Sequence, residues 1–123
     1  MDRAVMTKTT RLAMILALLL TTGCAAYRTQ SLAEEGFEAL SAGRLELAEQ
    51  KYKDCLALDP DHPYCLLNLG VVYQRTGRFF QAEAMYEKVI RMNSPVRAVS
   101  SDQDGAVGRT LTDIARDNLK ALP

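Results

Sequence analysis

Residues 63–95 read PYCLLNLGVVYQRTGRFFQAEAMYEKVIRMNSP, and residues 31–60 before them read SLAEEGFEALSAGRLELAEQKYKDCLALDP. Laid over one another with a shift of 34 residues, they coincide at Leu32/Leu66, Gly36/Gly70, Gly43/Gly77, Ala48/Ala82 and Tyr52/Tyr86. Pro60 closes the first unit, and Pro95 falls one residue late for the second. Five coincidences at a single period mark an internal repeat, and a period of this length is that of a stacked supersecondary unit.

Within each unit the apolar residues recur at helical spacing. The predicted helices run over about 32–42 and 45–58 in the first unit and about 63–76 and 79–92 in the second. Ser31 to Glu34 has the spacing of a capping box opening the first of these, and Pro63 suits the first position of the third. Gly43 and Gly77 fall where a helix ends in a left-handed residue. Gly36 and Gly70 leave room for the following helix to approach, and Tyr52 and Tyr86 fill the space between packed helices with a large ring. The period and these residues resemble the tetratricopeptide repeat, a helix–turn–helix unit. The second unit follows that pattern closely. The first departs from it, with Glu35 where Leu69 stands and Ala39 where Tyr73 stands, a more polar face suited to an end repeat.

Residues 93–109 (NSPVRAVSSDQDGAVGR) carry Pro, Gly, Ser and Asp without a period and read as a long loop. Thr110 to Asp113 is again a capping-box pattern, and Leu111, Ile114, Ala115, Leu119 and Leu122 make a final amphipathic helix. Extending the frame puts Asp104, Arg116 and Lys120 where Gly, Ala and Tyr belong, so this helix is read as a cap on the stack. The expected fold is all-α: two helix–turn–helix repeats of an α-solenoid over 31–95, a loop over 96–109 and a C-terminal capping helix over 110–123.

Upstream, Arg3, Lys8 and Arg11 against Asp2 give a basic start, followed by the nine apolar residues Leu12–Leu20. A bilayer span needs about 20 such residues, so the run reads as a signal peptide over 1–23. Thr21-Thr22-Gly23-Cys24-Ala25 resembles the lipobox of bacterial lipoproteins. That resemblance implies cleavage between Gly23 and Cys24, acylation of Cys24 (diacylglyceryl and palmitate-like chains) and, with Ala25 next, delivery to an outer membrane facing the periplasm. An ordinary signal peptide cut after Ala25 or Ala26 is the other reading. Residues 24–30 (CAAYRTQ) are expected to form a tether.

The whole chain has 123 residues, 15 Lys+Arg, 15 Asp+Glu, one His and three Cys. Removing Arg3, Lys8, Arg11 and Asp2 with the leader leaves 12 basic and 14 acidic residues, a balance that offers no field for nucleic acid. No phosphate loop, metalloprotease or nucleophile-elbow motif occurs, no cofactor or metal is expected, and the chain is read as no enzyme. His62 sits in the Asp59-Pro60-Asp61-His62-Pro63 turn, which turn formation accounts for without chemistry, a proline breaking one helix, an aspartate capping the next and Pro63 starting it. With Cys24 assigned to lipid, Cys55 and Cys65 remain. They stand within reach of a disulfide across the turn, or are two small buried residues; the spacing leaves both open.

The resemblance places binding on the concave face lined by the first helix of each unit. In the first unit that face carries Ala33, Phe37 and Leu40; in the second, Tyr64, Leu67, Asn68, Val71, Gln74 and Arg75. Asn68 matches a position that grips a peptide carboxylate in some relatives, but Ala33 and Phe37 stand where the Lys and first Asn of that grip belong, so an apolar groove for an extended or helical peptide is expected instead. The function expected is a lipid-anchored envelope adaptor that binds another protein, in the assembly of pili or secretion systems. The alternative is a self-associating structural lipoprotein whose groove is a homo-oligomer interface. In a third arrangement the 93–109 loop or the final helix fills the groove from within.

Overall fold

A computed structural model describes residues 8–101 and 104–123. Asp2, Arg3 and Asp102, together with the side chains of Leu19, Leu20, Thr21 and Thr22, lie outside the described residues. The helices are α1 (Lys8–Ser41), α2 (Leu45–Leu58), α3 (Pro63–Arg75), α4 (Phe79–Met92) and α5 (Leu111–Lys120). No strand occurs among the described residues; a single antiparallel bridge joins Arg97 to Thr110.

The two units are built alike. Each first helix ends in a glycine with positive φ, +72° at Gly43 and +75° at Gly77. In each, the next residue's N–H reaches back to the helix, Arg44 to Ala39 O and Arg78 to Tyr73 O, both at 2.8 Å. A side chain at those glycines would strain the turn, because only a residue without Cβ enters the left-handed region at no cost. Above the turn, Tyr52 and Tyr86 are wholly buried against the backbone of Gly36 and Gly70. The pairs α1/α2 and α3/α4 pack through this contact, and α2 lies against α3 to continue the stack. α2 stops where Asp59 adopts an extended conformation, as a residue preceding proline is pushed to do.

Three expectations are corrected. α1 does not begin at a cap near Ser31: it is continuous from Lys8, and the stretch 24–30 expected to be a tether is helical. Between Thr9 and Ser41 there is no proline and only Gly23 and Gly36 strongly oppose a helix, while Ala and Leu are strong helix formers. Ser31 hydrogen-bonds Glu35 at 3.1 Å, and Glu34 accepts from Gln30 at 2.8 Å, so both are mid-helix side chains. Packing begins at Thr29, which is 8% exposed. Second, nine residues undercount the apolar run: α1 contains an 18-residue window long and apolar enough to cross a membrane, a property that a signal sequence near the N-terminus shares. A count that stops at Leu20 misses this, since no charged residue intervenes until Arg28. Third, the N-cap of α3 is His62 rather than an aspartate: its Nδ1 accepts from the Cys65 N–H at 3.4 Å.

α5 opens on Thr110, whose Oγ1 accepts from the Asp113 N–H at 3.1 Å and donates to its carboxylate at 2.7 Å. That bond holds the Asp113 carboxyl below its ordinary range. α5 packs chiefly on α4 and also meets α3, burying Leu111, Ile114 and Ala115. The loop before it is pinched shut at its base by Ala98 N–H to Arg109 O, Gly108 N–H to Ala98 O and Leu111 N–H to Val96 O, at 2.8–2.9 Å.

Candidate functional site

The concave side is the face on which α1 and α3 lie next to one another, and the structure divides it in two. Over the second repeat it is closed by the chain itself. Leu67, Asn68 and Val71 are 4%, 9% and 5% exposed. Ala98, Ser100 and Ser101 from the loop and Leu111 and Ile114 from α5 surround a remaining space of only about 20 Å³. Burying a leucine such as Leu111 stabilises by about 2 kcal/mol, so the apolar stripe on α3 is covered by apolar side chains of the loop and of α5. Tyr64 fastens the strap: its hydroxyl donates to Ser100 O at 2.8 Å and lies 3.2 Å from Ser100 Oγ.

Over the first repeat the face is open. A cleft of about 600 Å³ runs between α1, the start of α3 and the strap, lined by Ala33, Glu34, Phe37 and Glu38 on one side and His62, Pro63, Tyr64, Val96, Arg97 and Val99 on the other. Its α1 wall, with Gln30, follows the i, i+3, i+4, i+7, i+8 spacing of a single helix face. Phe37 and Tyr64 are half-buried and line both spaces, so the two adjoin, with Asn68 lining only the sealed one. The Asn68 Nδ2 is buried without a hydrogen-bond partner, a state that leaves a donor's desolvation unrecovered until an acceptor meets it.

The other expected groove residues are placed elsewhere. Leu40 is fully buried in the core between the helices, not on the concave surface. Gln74 accepts from the Tyr86 hydroxyl at 2.7 Å and so supports the inter-helix ring. Arg75 is exposed and lines neither space. Sequence reasoning missed Glu34, Glu38, Val96 and Val99. The two glutamates were legible, one residue beyond Ala33 and Phe37 on the same face, whereas the valines reach the cleft only through the long-range course of the strap.

The sulfurs of Cys55 and Cys65 are bonded, with Cα atoms 6.6 Å apart, joining the end of α2 to the start of α3. A ring nitrogen of His62 and the two sulfurs lie within 4.8 Å of one another, a donor set of the kind that can hold a soft cation. With both sulfurs bonded to each other, one imidazole remains as a donor, and it already caps α3.

A second link between repeats lies at Glu49 of α2. It pairs with Arg78 at 2.5 Å, hydrogen bonds with Arg78 and then Lys53 hold its carboxyl at about 2, and the Arg78 guanidinium stands 4.6 Å from the centre of the Tyr73 ring. Disulfide and ion pair together fix the angle at which the two repeats present the cleft. Cys24 is exposed on α1 with a free thiol, and Gly23 beside it is exposed.

The tetratricopeptide repeat family matches this chain over residues 39–98. The chain also resembles the uncharacterised protein ycf37 of Pyropia yezoensis, with 31% identity over 58 residues, covering 47% of this chain and 33% of that protein. The chain thus spans about a third of the length of that relative. No solved structure matches.

Proposed function

We propose that this chain is built of tetratricopeptide repeats, matched by that family over residues 39–98, in an all-helical scaffold of the kind that binds other proteins. We further propose that it is a membrane-held adaptor that takes a segment of a partner protein into the cleft between Phe37, Tyr64 and Val99. The observation that carries this reading is the cleft itself: half of the concave face is sealed by the chain, while the other half stays open, apolar on its floor and preformed. Its volume lies in the range of sites that enclose a ligand.

The N-terminal segment supports the anchoring. In this reading the Gly23–Cys24 bond is cut, Cys24 carries the acyl chains, and the protein sits on the outer membrane of a bacterial envelope facing the periplasm, serving assembly of pili or a secretion system. Helix continues from Cys24 into the first repeat, and Ala33 lies nine residues on, about 14 Å along the axis. The cleft is then confined near one membrane, which raises its effective concentration for partners there. The long apolar window in α1 fits a second form of anchoring equally well, an uncleaved span. Intact mass of the membrane-extracted protein separates the two. A triacylated chain starting at Cys24, abolished by Cys24→Ser, supports the lipoprotein; the full 123-residue mass supports the span.

Binding is tested by photo-crosslinking in intact cells from position 37, with position 80 as a control on the outside of α4. Phe80 is 88% exposed and belongs to neither wall of the cleft. A discrete adduct from position 37 that is absent from position 80 supports the cleft, and equal labelling from both refutes it.

A further inference from the structure

The cleft is apolar on its floor and acidic along one rim. Glu34 and Glu38 stand one helical turn apart on the α1 wall, both exposed and both lining the space. Neither makes an ion pair among the described residues; Glu34 accepts only the neutral amide of Gln30. Four other carboxylates of the repeats are matched, Glu35 by Lys51, Glu49 by Arg78 and Lys53, Asp61 by Lys88 and Glu87 by Arg91. Glu46, Asp54, Asp59 and Glu83 lie away from the cleft lining and, like Glu34 and Glu38, are in no ion pair among the described residues. On α1 the contrast is between neighbours, since Glu35 faces α2 and is bonded, while the two glutamates facing the cleft are left to solvent.

The opposite wall offsets them only in part. Arg97 lines the cleft and keeps its single positive charge while its Nη1 donates to Gly108 O at 2.6 Å. It makes no ion pair with either glutamate among the described residues, and His62 Nδ1 accepts from the Cys65 N–H. Two unmatched carboxylates beside a low-dielectric floor of Ala33, Phe37, Pro63 and Tyr64 make a field more effective than the same charges on an open surface. We propose that the occupant of this cleft is an extended partner segment in which apolar side chains alternate with lysine or arginine, the apolar ones seated on Phe37 and Tyr64 and the cations meeting Glu34 and Glu38. This rests on the reading of the cleft as a protein-binding site and names the chemistry of its partner.

The test uses the full-length chain in nanodiscs of zwitterionic lipid and three fluorescent nine-residue probes. All share the same leucines and valines; the alternate positions hold lysine, glutamate or serine. Anisotropy is expected to show the lysine probe binding about tenfold more tightly than the serine probe at low salt, with the advantage shrinking at high salt. Glu34→Gln/Glu38→Gln, which leaves the oxygen that meets Gln30, brings the lysine probe to within about twofold of serine. Phe37→Asn weakens all three. If serine and lysine probes bind equally and Phe37→Asn weakens both, the cleft stands and the cationic partner falls. If no probe binds, both readings fall. If the chain sediments as a dimer that Phe37→Asn dissociates, the occupant is a second copy and the proposal is overturned.

Discussion

The Tyr64 hydroxyl donates to the carbonyl of Ser100 at 2.8 Å, across a sequence separation of 36 residues. This bond fastens the strap over the second repeat and sets the edge of the cleft over the first. A single such bond is worth about 1 kcal/mol, so Tyr64→Phe should release the strap without unfolding the helices. Hydrogen exchange is expected to quicken in 96–101 while the amides of α3 and α4 keep their protection. Unchanged exchange in the strap would show that burial of Ala98 alone holds it.

Between the helices of each unit the contact is tighter. A Cβ on Gly70 would stand 2.6 Å from Tyr86 Cε1, and one on Gly36 would stand 2.6 Å from Tyr52 Cε1. These rings are wholly buried and cannot swing away. Gly70→Ala should therefore destabilise by about 1–3 kcal/mol, and Tyr86→Leu introduced with it should recover part of the loss. Additive losses in the double variant, measured by urea unfolding, would mean the two residues do not compete for the same space.

These glycine–tyrosine pairs show what the sequence makes plain and what it hides. Residues that repeat at a fixed offset report a packing unit, so Gly36/Gly70 and Tyr52/Tyr86 locate the helix pairs before any coordinates. Ser31 and Glu34 mislead because capping-box spacing also occurs inside helices, where Ser31 turns to Glu35 instead. Leu40 shows a helix period without showing which of two neighbouring faces is core. The closing of the groove over Leu67 and Val71 depends on Leu111 at the start of α5, about forty residues away, and on Ala98, about thirty residues away in a stretch without a period. Only its tertiary course selects self-filling over half of the face.

Reduction should be felt across the repeats. The Cys55–Cys65 bond closes a short loop, with a sequence separation of 10, and a loop of that size contributes on the order of 2–3 kcal/mol. The Cys55→Ala/Cys65→Ala variant should unfold at lower urea concentration, and a thiol reductant should then have no further effect on it. Equal midpoints for variant and parent would contradict a stabilising bridge.

The Glu49–Arg78 pair predicts an acid-sensitive part of stability. Hydrogen bonds from Arg78 depress the Glu49 carboxyl from 4.5 to about 2. A depressed carboxyl contributes fully above its unfolded value, and the contribution is lost as pH falls from about 4.5 toward 2. Because Arg78 is partly exposed, screening limits the effect to on the order of 1 kcal/mol. Arg78→Gln should flatten the loss of stability over that window, followed by chemical unfolding at successive pH values. The same slope in both proteins would assign the acid sensitivity to other carboxylates.

The central claim is that the open half of the concave face, between Phe37 and Tyr64, receives a partner protein. The most direct measurement is hydrogen exchange of the full-length chain alone and in complex with the partner crosslinked from position 37. Binding there predicts slower exchange in 30–38 and 96–100, with α4 around Phe79 and Phe80 unchanged. Protection confined to α4 and the C-terminal residues, with 30–38 and 96–100 exchanging as in the free protein, would contradict it.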